Sequence, residues 1–157
     1  PKQQTETWNG TSWTEVSDLN TGRNEIAGHG IVTSALAYGG NLPGVTGVTE
    51  SWNGTSWTET TDLNTARRTL AGSGTDNTIG LAFGGGTPSN TGATELWNGS
   101  SWTEDTDLST ARNALASSNG VGSTSALASG GTTGTITGAT EEWTGAGSPL
   151  TKTFTTS

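Results

Sequence analysis

Apolar and polar positions alternate with a period of two over stretches of four or five residues, then break at turn-forming residues. The first such stretch, Thr5-Glu6-Thr7-Trp8, runs into Asn9-Gly10 and is followed by Trp13-Thr14-Glu15-Val16. Asn-Gly accepts the left-handed conformations of tight turns, so the segment predicts an antiparallel hairpin. Two registers are open. A two-residue Asn9-Gly10 turn makes Trp8 and Trp13 diagonal neighbours, whereas a four-residue loop from Asn9 to Ser12 sets them opposite each other. Both put the two Trp on one face, which is then expected to be buried.

The pattern returns along the chain. TETWNGTSWTEVSDLNTGR (5–23) recurs as TESWNGTSWTETTDLNTAR (49–67) and TELWNGSSWTEDTDLSTAR (94–112), then fades into TEEWTGAGSPLTKTFTTS (140–157). The first Trp of each unit falls at Trp8, Trp52, Trp97 and Trp143, in steps of 44, 45 and 46. A fixed period of this size marks an array of identical supersecondary units. Between the Trp blocks lies a second recurring block, with a small-residue strand expected at 26–30 and an apolar one at 35–38, closed by Gly39-Gly40. Gly84-Gly85 and Gly130-Gly131 stand at the same place in the later units. Each unit thus reads as four short strands, and the drift in period is confined to Gly/Thr/Asn stretches, where loops tolerate insertion.

Only 28% of residues are hydrophobic and 25 are Gly, so apolar surface has to be buried in thin layers rather than in a thick aliphatic core. Low hydrophobicity would suit disorder, but charged residues are 13% and seven Trp are evenly spaced. The formal charge of −8 comes without any Lys/Arg cluster, which argues against nucleic acid as a partner. With no cysteine there is no disulfide, thiol nucleophile or cysteine metal site. No stretch approaches the ~20 apolar residues of a membrane span, and PKQQ carries no apolar signal segment, so any export route is expected either to be lost upstream or to be of another kind.

Arg23, a small-residue strand, an apolar strand ending in Gly39-Gly40, Glu50 before Trp52, a turn and then Trp57 follow in the order of the kelch repeat, which this unit resembles over nearly the whole chain. Trp stands where the kelch repeat usually has Tyr at its first aromatic position. The last unit reads GAGSPLTK where the others carry a second Trp. The Thr/Gly/Asn-rich loops are similar to those of repetitive phage and environmental bacterial proteins. The resemblance implies an all-β fold of kelch-like β-propeller blades, each a four-stranded antiparallel sheet, about three and a half in number. It divides the chain into an N-terminal Trp hairpin at 5–17, blade 1 at 23–61, blade 2 at 67–106 and blade 3 at 112–157 with a degenerate C-terminal cap. Propellers close with about 4–8 blades, so other copies or upstream repeats are expected to complete the ring.

Repetition also governs the chemistry. His29 is the only histidine and has no second imidazole or thiol to work with, so a turn or solvent position is expected for it. Carboxylates recur as Glu6, Glu50, Glu95 and Glu141 and as Glu15, Glu59 and Glu104, whereas glycoside hydrolysis needs one asymmetric pair in one cleft. Arg23, Arg67 and Arg112 are expected to pair with acidic groups of the same or the adjacent blade, because the guanidinium fork suits a carboxylate. The kelch resemblance implies the same structural role. Asp18-Leu19-Asn20, Asp62-Leu63-Asn64 and Asp107-Leu108-Ser109 offer too few oxygens for a calcium loop and read as Asx-type turns with Leu tucked inward. Asn9, Asn53 and Asn98 meet the glycosylation pattern, which their hairpin position explains without sugar. Kelch-like rings also house galactose oxidase chemistry, which depends on a copper site with Tyr, His and a Cys crosslink; this chain has one Tyr, one His and no Cys, so that chemistry is not carried over.

The expectation is therefore a non-enzymatic module with no cofactor and no metal. It would be structural or adhesive, in a virion (fibre or decoration protein) or on a bacterial surface, presenting loops to a virion protein, a host-surface protein or a glycan. An intracellular kelch-type scaffold for protein partners is the alternative.

Overall fold

The computed structural model describes residues 2–118 and 124–145; the expected C-terminal cap of blade 3 lies outside the described residues. The chain is nearly all β, without α-helix among the described residues. Strands β1 (Thr5–Trp8) and β2 (Trp13–Val16) form a lone hairpin. Strands β3 (Ala27–Ile31), β4 (Ser34–Tyr38), β5 (Thr49–Trp52) and β6 (Trp57–Thr60) make a four-stranded antiparallel sheet in sequence order. The same order recurs in β7 (Ala71–Asp76), β8 (Ile79–Phe83), β9 (Thr94–Trp97) and β10 (Trp102–Asp105). A third sheet holds β11 (Ala116–Ser117), β12 (Ala126–Ser129) and β13 (Thr140–Trp143). Repeated blade-like sheets of this kind are compatible with a propeller-like repeat fold.

The hairpin register is the four-residue one. Trp8 lies opposite Trp13, Trp52 opposite Trp57 and Trp97 opposite Trp102, with ring centroids 5.4, 5.3 and 5.2 Å apart. Asn makes the loop: Asn53 Oδ1 accepts the backbone N–H groups of Thr55 and Ser56 at 3.0 and 2.9 Å, and Asn9 and Asn98 do the same in their units. The next residue is a Gly with φ near +95° each time, a conformation that L side chains rarely adopt.

Each sheet carries two different faces, because alternate residues of a strand point to opposite sides. Leu36 and Tyr38 of β4 point toward the second sheet, where Ala82 of β8 and the pair Trp97 and Trp102 receive them. Tyr38 meets Trp102 edge-on, with centroids 4.9 Å apart. The interface then repeats one unit later: Leu81 and Phe83 pack with Ala128 and Trp143. Bulky aliphatic and aromatic side chains of one blade are thus set against small residues and Trp of the next, which lets thin sheets interlock with few aliphatic residues.

One face departs from expectation. The expected burial of the Trp face holds for Trp52, Trp97, Trp102 and Trp143, but Trp8 and Trp13 are 49% and 63% exposed. The physical reason is that, among the described residues, no inner strands pair with β1 and no sheet covers this Trp face.

Along the inner strands a backbone ladder joins successive units. Thr69 N–H donates to the Glu25 carbonyl and Ala114 N–H to the Thr69 carbonyl, both at 2.9 Å. All three residues sit at positive φ, +58°, +51° and +51°, a region uncommon for residues with side chains.

Cutting a buried Trp to Ala costs about 3–5 kcal/mol. Trp97→Ala is therefore expected to lower the urea midpoint strongly, and Trp13→Ala to cost less than about 1 kcal/mol; equal effects of the two would sink the interlocking-face account.

Candidate functional site

The residues singled out by the repeat converge where the chain crosses from one blade to the next. Glu50 is fully buried at the centre of β5 and pairs with Arg23, itself 3% exposed. Its second oxygen accepts Asn20 N–H at 2.7 Å and the Asn20 side-chain amide at 3.0 Å. Arg23 completes the knot, with Nε donating to Gly39 O, Nη1 to Thr21 O and Nη2 to Ala37 O. Glu95 repeats the arrangement with Arg67 at 3.0 Å and Asn64 N–H at 2.7 Å; Glu141 repeats it with Arg112 at 3.2 Å and Ser109 N–H at 2.7 Å. In every case the Arg partner is the Glu of its own blade. Burial pulls the Arg67 pKa below its ordinary value, and Glu95 opposes that pull. Its Nε and Nη1 find no aligned acceptor, so Arg23 is the best-satisfied copy.

The Asp of the crossing does not form the Asx turn expected of it. Asp62 Oδ1 instead accepts Thr49 N–H at 3.2 Å, tying the end of one outer hairpin to its start, as Asp18 does for Thr5 and Asp107 for Thr94. The Asp of each crossing and the residue two places on (Asn20, Asn64 or Ser109) therefore hold opposite sides of it, one on the blade just left and one on the blade entered. Leu19 and Leu63 are tucked inward and buried. The Gly pairs serve the same seam: Gly40 N–H donates to Arg67 O and Gly85 N–H to Arg112 O, both at 2.9 Å. At Gly39, φ is +67° and an added Cβ would meet the Arg67 carbonyl at 2.6 Å, so neither conformation nor space admits a side chain. Gly84, Gly130 and Gly131 also sit at positive φ.

His29 is a correction. It is buried on β3, not in a turn or in solvent, with Nδ1 3.1 Å from the Tyr38 hydroxyl. It fits because β7 and β8 present Gly74 and Gly80, where an added Cβ would lie within 2.3 and 2.0 Å of the ring. Desolvation lowers its pKa to about 4, against the opposing pull of Asp76. Burial also raises the Tyr38 pKa above its ordinary value. No group of three or more His, Cys, Asp or Glu able to hold a metal ion occurs among the described residues. No helix there is long and apolar enough to cross a membrane.

Open space lies elsewhere. Two adjoining clefts of about 290 and 430 Å3 separate the β1–β2 hairpin from the face of the first four-stranded sheet and share Thr5, Glu6, Ala35 and Trp57. A cavity of about 20 Å3 lies among Leu81, Phe83, Leu108 and Trp143. In the preceding interface Trp102 fills the corresponding place against Leu36, Tyr38 and Leu63. No protein-family model matches the chain, and no curated protein matches it.

The seam and the clefts differ in how well the sequence announces them. Arg23, Arg67, Arg112, Glu50, Glu95 and Glu141 could be listed from the repeat, whereas Asn20 and Asn64 as carboxylate partners are visible only in three dimensions.

Breaking a buried ion pair by removing one partner costs about 3–5 kcal/mol. Glu95→Gln is expected to fall in that range and the exposed Glu104→Gln below about 0.5 kcal/mol, both read by urea unfolding. A second expectation concerns pH. His29 has a folded pKa near 4 against 6.5 in the unfolded chain. The unfolded state then binds more protons between these values, so stability is full above pH 6.5 and falls toward pH 4, by roughly 3 kcal/mol. His29→Asn should flatten the melting temperature across that window relative to the parent; an unchanged slope would remove His29 as the cause.

Proposed function

We propose that the chain is a non-enzymatic module of kelch-like blades from a virion or a bacterial surface protein, using its variable loops to contact a host surface or glycan. What supports this reading is the division of labour within the repeat. The recurrent ionisable residues Arg23, Arg67, Arg112, Glu50, Glu95 and Glu141 are buried in the seams and bonded to backbone, so they are not disposed as a reactive cluster. What differs from unit to unit is the loop after each Gly pair, NLPGVTGV (41–48), GTPSNTGA (86–93) and TTGTITGA (132–139).

These loops share a backbone design while varying their side chains. Leu42 N–H donates to Gly44 O, Thr87 N–H to Ser89 O and Thr133 N–H to Thr135 O. Ile136 at one loop tip is 95% exposed, an apolar side chain held in water by a turn that does not need it. A rigid scaffold with variable loops is the common arrangement of binding modules. The acidic, amide- and hydroxyl-rich surface suits sugar hydroxyls better than phosphates.

Purified chain is tested on a glycan array and on intact bacterial cells, beside a variant carrying Leu42→Ser and Ile136→Ser. Saturable binding weakened at least fivefold in the variant, at unchanged melting temperature, is the expected result. Absence of any carbohydrate or cell binding, together with tight capture of a cytoplasmic protein, would favour the intracellular scaffold instead.

A further inference from the structure

We infer that the cleft beside β1 is a docking groove for an inner β-hairpin of this same repeat type, which adds to the free edge of β1 and brings an arginine to Glu6. The inference rests on the repeat geometry and is independent of what the loops bind.

Equivalent positions carry the argument. β1–β2 corresponds to β5–β6 and β9–β10, each of which has an inner hairpin hydrogen-bonded to its first strand, β4 to β5 and β8 to β9. β1 pairs only with β2, so its other edge is unpaired among the described residues. An unpaired edge is a template for a further strand.

The apolar face behind that edge is uncovered in the same pattern. Ile26 is 38% exposed, whereas Leu70 and Leu115 at the corresponding positions are 6% and 8% exposed. Trp57 is only partly buried, whereas its counterpart Trp102 is buried under Leu36 and Tyr38 of the preceding sheet. Trp57 has already made the inter-unit bond of its type, with Nε1 donating to Thr5 Oγ1 at 3.1 Å as Trp102 Nε1 does to Thr49 Oγ1 at 3.2 Å. The hairpin therefore sits where an outer hairpin belongs, and the adjoining clefts mark the volume that its inner strands would fill.

Charge selects the occupant. Glu6 stands where Glu50, Glu95 and Glu141 stand, yet no cation lies within ion-pair distance of it among the described residues. The three equivalent carboxylates each take an Arg from the segment leading into their own inner hairpin. The backbone ladder gives a further point of attachment: Thr69 and Ala114 N–H groups donate to the unit before them, and Glu25 N–H holds the same position in the first sheet. An occupant thus needs an Arg, a Gly/Ala-rich strand, a short turn and a strand with alternate Leu and aromatic residues, which is the content of residues 64–85.

A synthetic peptide of residues 64–85 is added to the full chain and followed by calorimetry and hydrogen exchange. In a tethered form, residues 64–89 are fused ahead of Pro1, which leaves as many linking residues between Gly85 and Thr5 as separate Gly85 from Thr94. Expected are saturable peptide binding, slowed exchange in β1, and a melting temperature for the fusion raised by about 5 °C or more. Glu6→Gln should weaken the peptide at least tenfold and lower the melting temperature of the fusion, with no effect on the unfused chain. Glu15→Gln, on the exposed strand opposite, should change neither by more than twofold. A fusion whose added segment stays protease-sensitive at unchanged melting temperature overturns the proposal. So does protection that appears away from β1, or self-association of the chain that excludes the peptide, which would make a second copy the occupant.

Discussion

The structure depends on a buried carboxylate at the centre of the first strand of each outer hairpin. Glu50, Glu95 and Glu141 have almost no contact with solvent, and each is ion-paired with an Arg of its own blade and accepts a backbone N–H of the segment arriving from the previous one. A buried ion pair adds little net stability over an apolar replacement of the same shape, and leaving half of it unpaired is costly. Its effect is therefore on register. A crossing one residue out of place would withdraw the backbone N–H that the carboxylate accepts, so the register in which each crossing enters its sheet is narrow.

That constraint explains how so little aliphatic material suffices. Once the crossings fix the spacing between sheets, packing needs only one layer of Leu and aromatic side chains against a layer of Ala, Gly and Trp. Gly74 and Gly80 leave the space that His29 fills, and Gly72 leaves the space for the Tyr38 hydroxyl, where an added Cβ would lie 1.6 Å away. Tyr38 OH then reaches the Leu81 carbonyl at 3.3 Å. The Tyr38 hydroxyl is thus bonded across the seam, whereas His29 Nε2 has no hydrogen-bond partner and is buried at a desolvation cost.

The sequence announces the array well and the seams only in part. Steps of 44 to 46 residues, Asn-Gly hairpins and Gly-Gly strand ends are local signals, and the strands form where they lie. Turn length was not decided by the Asn9-Gly10 dipeptide alone: it supports two registers, and the choice came from Asn Oδ1 capping two N–H groups across the four-residue loop. Nor could His29 be placed from its own segment, because its burial is made by Gly74 and Gly80, in the following repeat unit. Asp62 and Asn64 sit two residues apart yet serve different blades, a division that no linear motif expresses. Trp8 and Trp13 share the sequence of the buried pairs and differ only in what stands beside them.

This last contrast shows which level of structure sets stability here. The closely similar segments TETWNGTSW, TESWNGTSW and TELWNGSSW give an exposed Trp pair at the first place, a partly buried pair at the second and a buried, hydrogen-bonded pair at the third. Intrinsic propensity is therefore enough to form each hairpin, while the free energy of burial comes from its neighbours. In a one-dimensional array of this kind, stability is a sum over interfaces, and an end unit contributes one interface fewer than an interior one. The positive φ of Glu25, Thr69 and Ala114 follows the same logic, since a backbone strained at one position per unit persists only where the adjacent unit accepts or donates the ladder bond. Strain and burial are thus distributed by the same neighbour relation. The β1–β2 hairpin, with its own turn complete and no inner strand paired to β1 among the described residues, shows the hairpin without that relation.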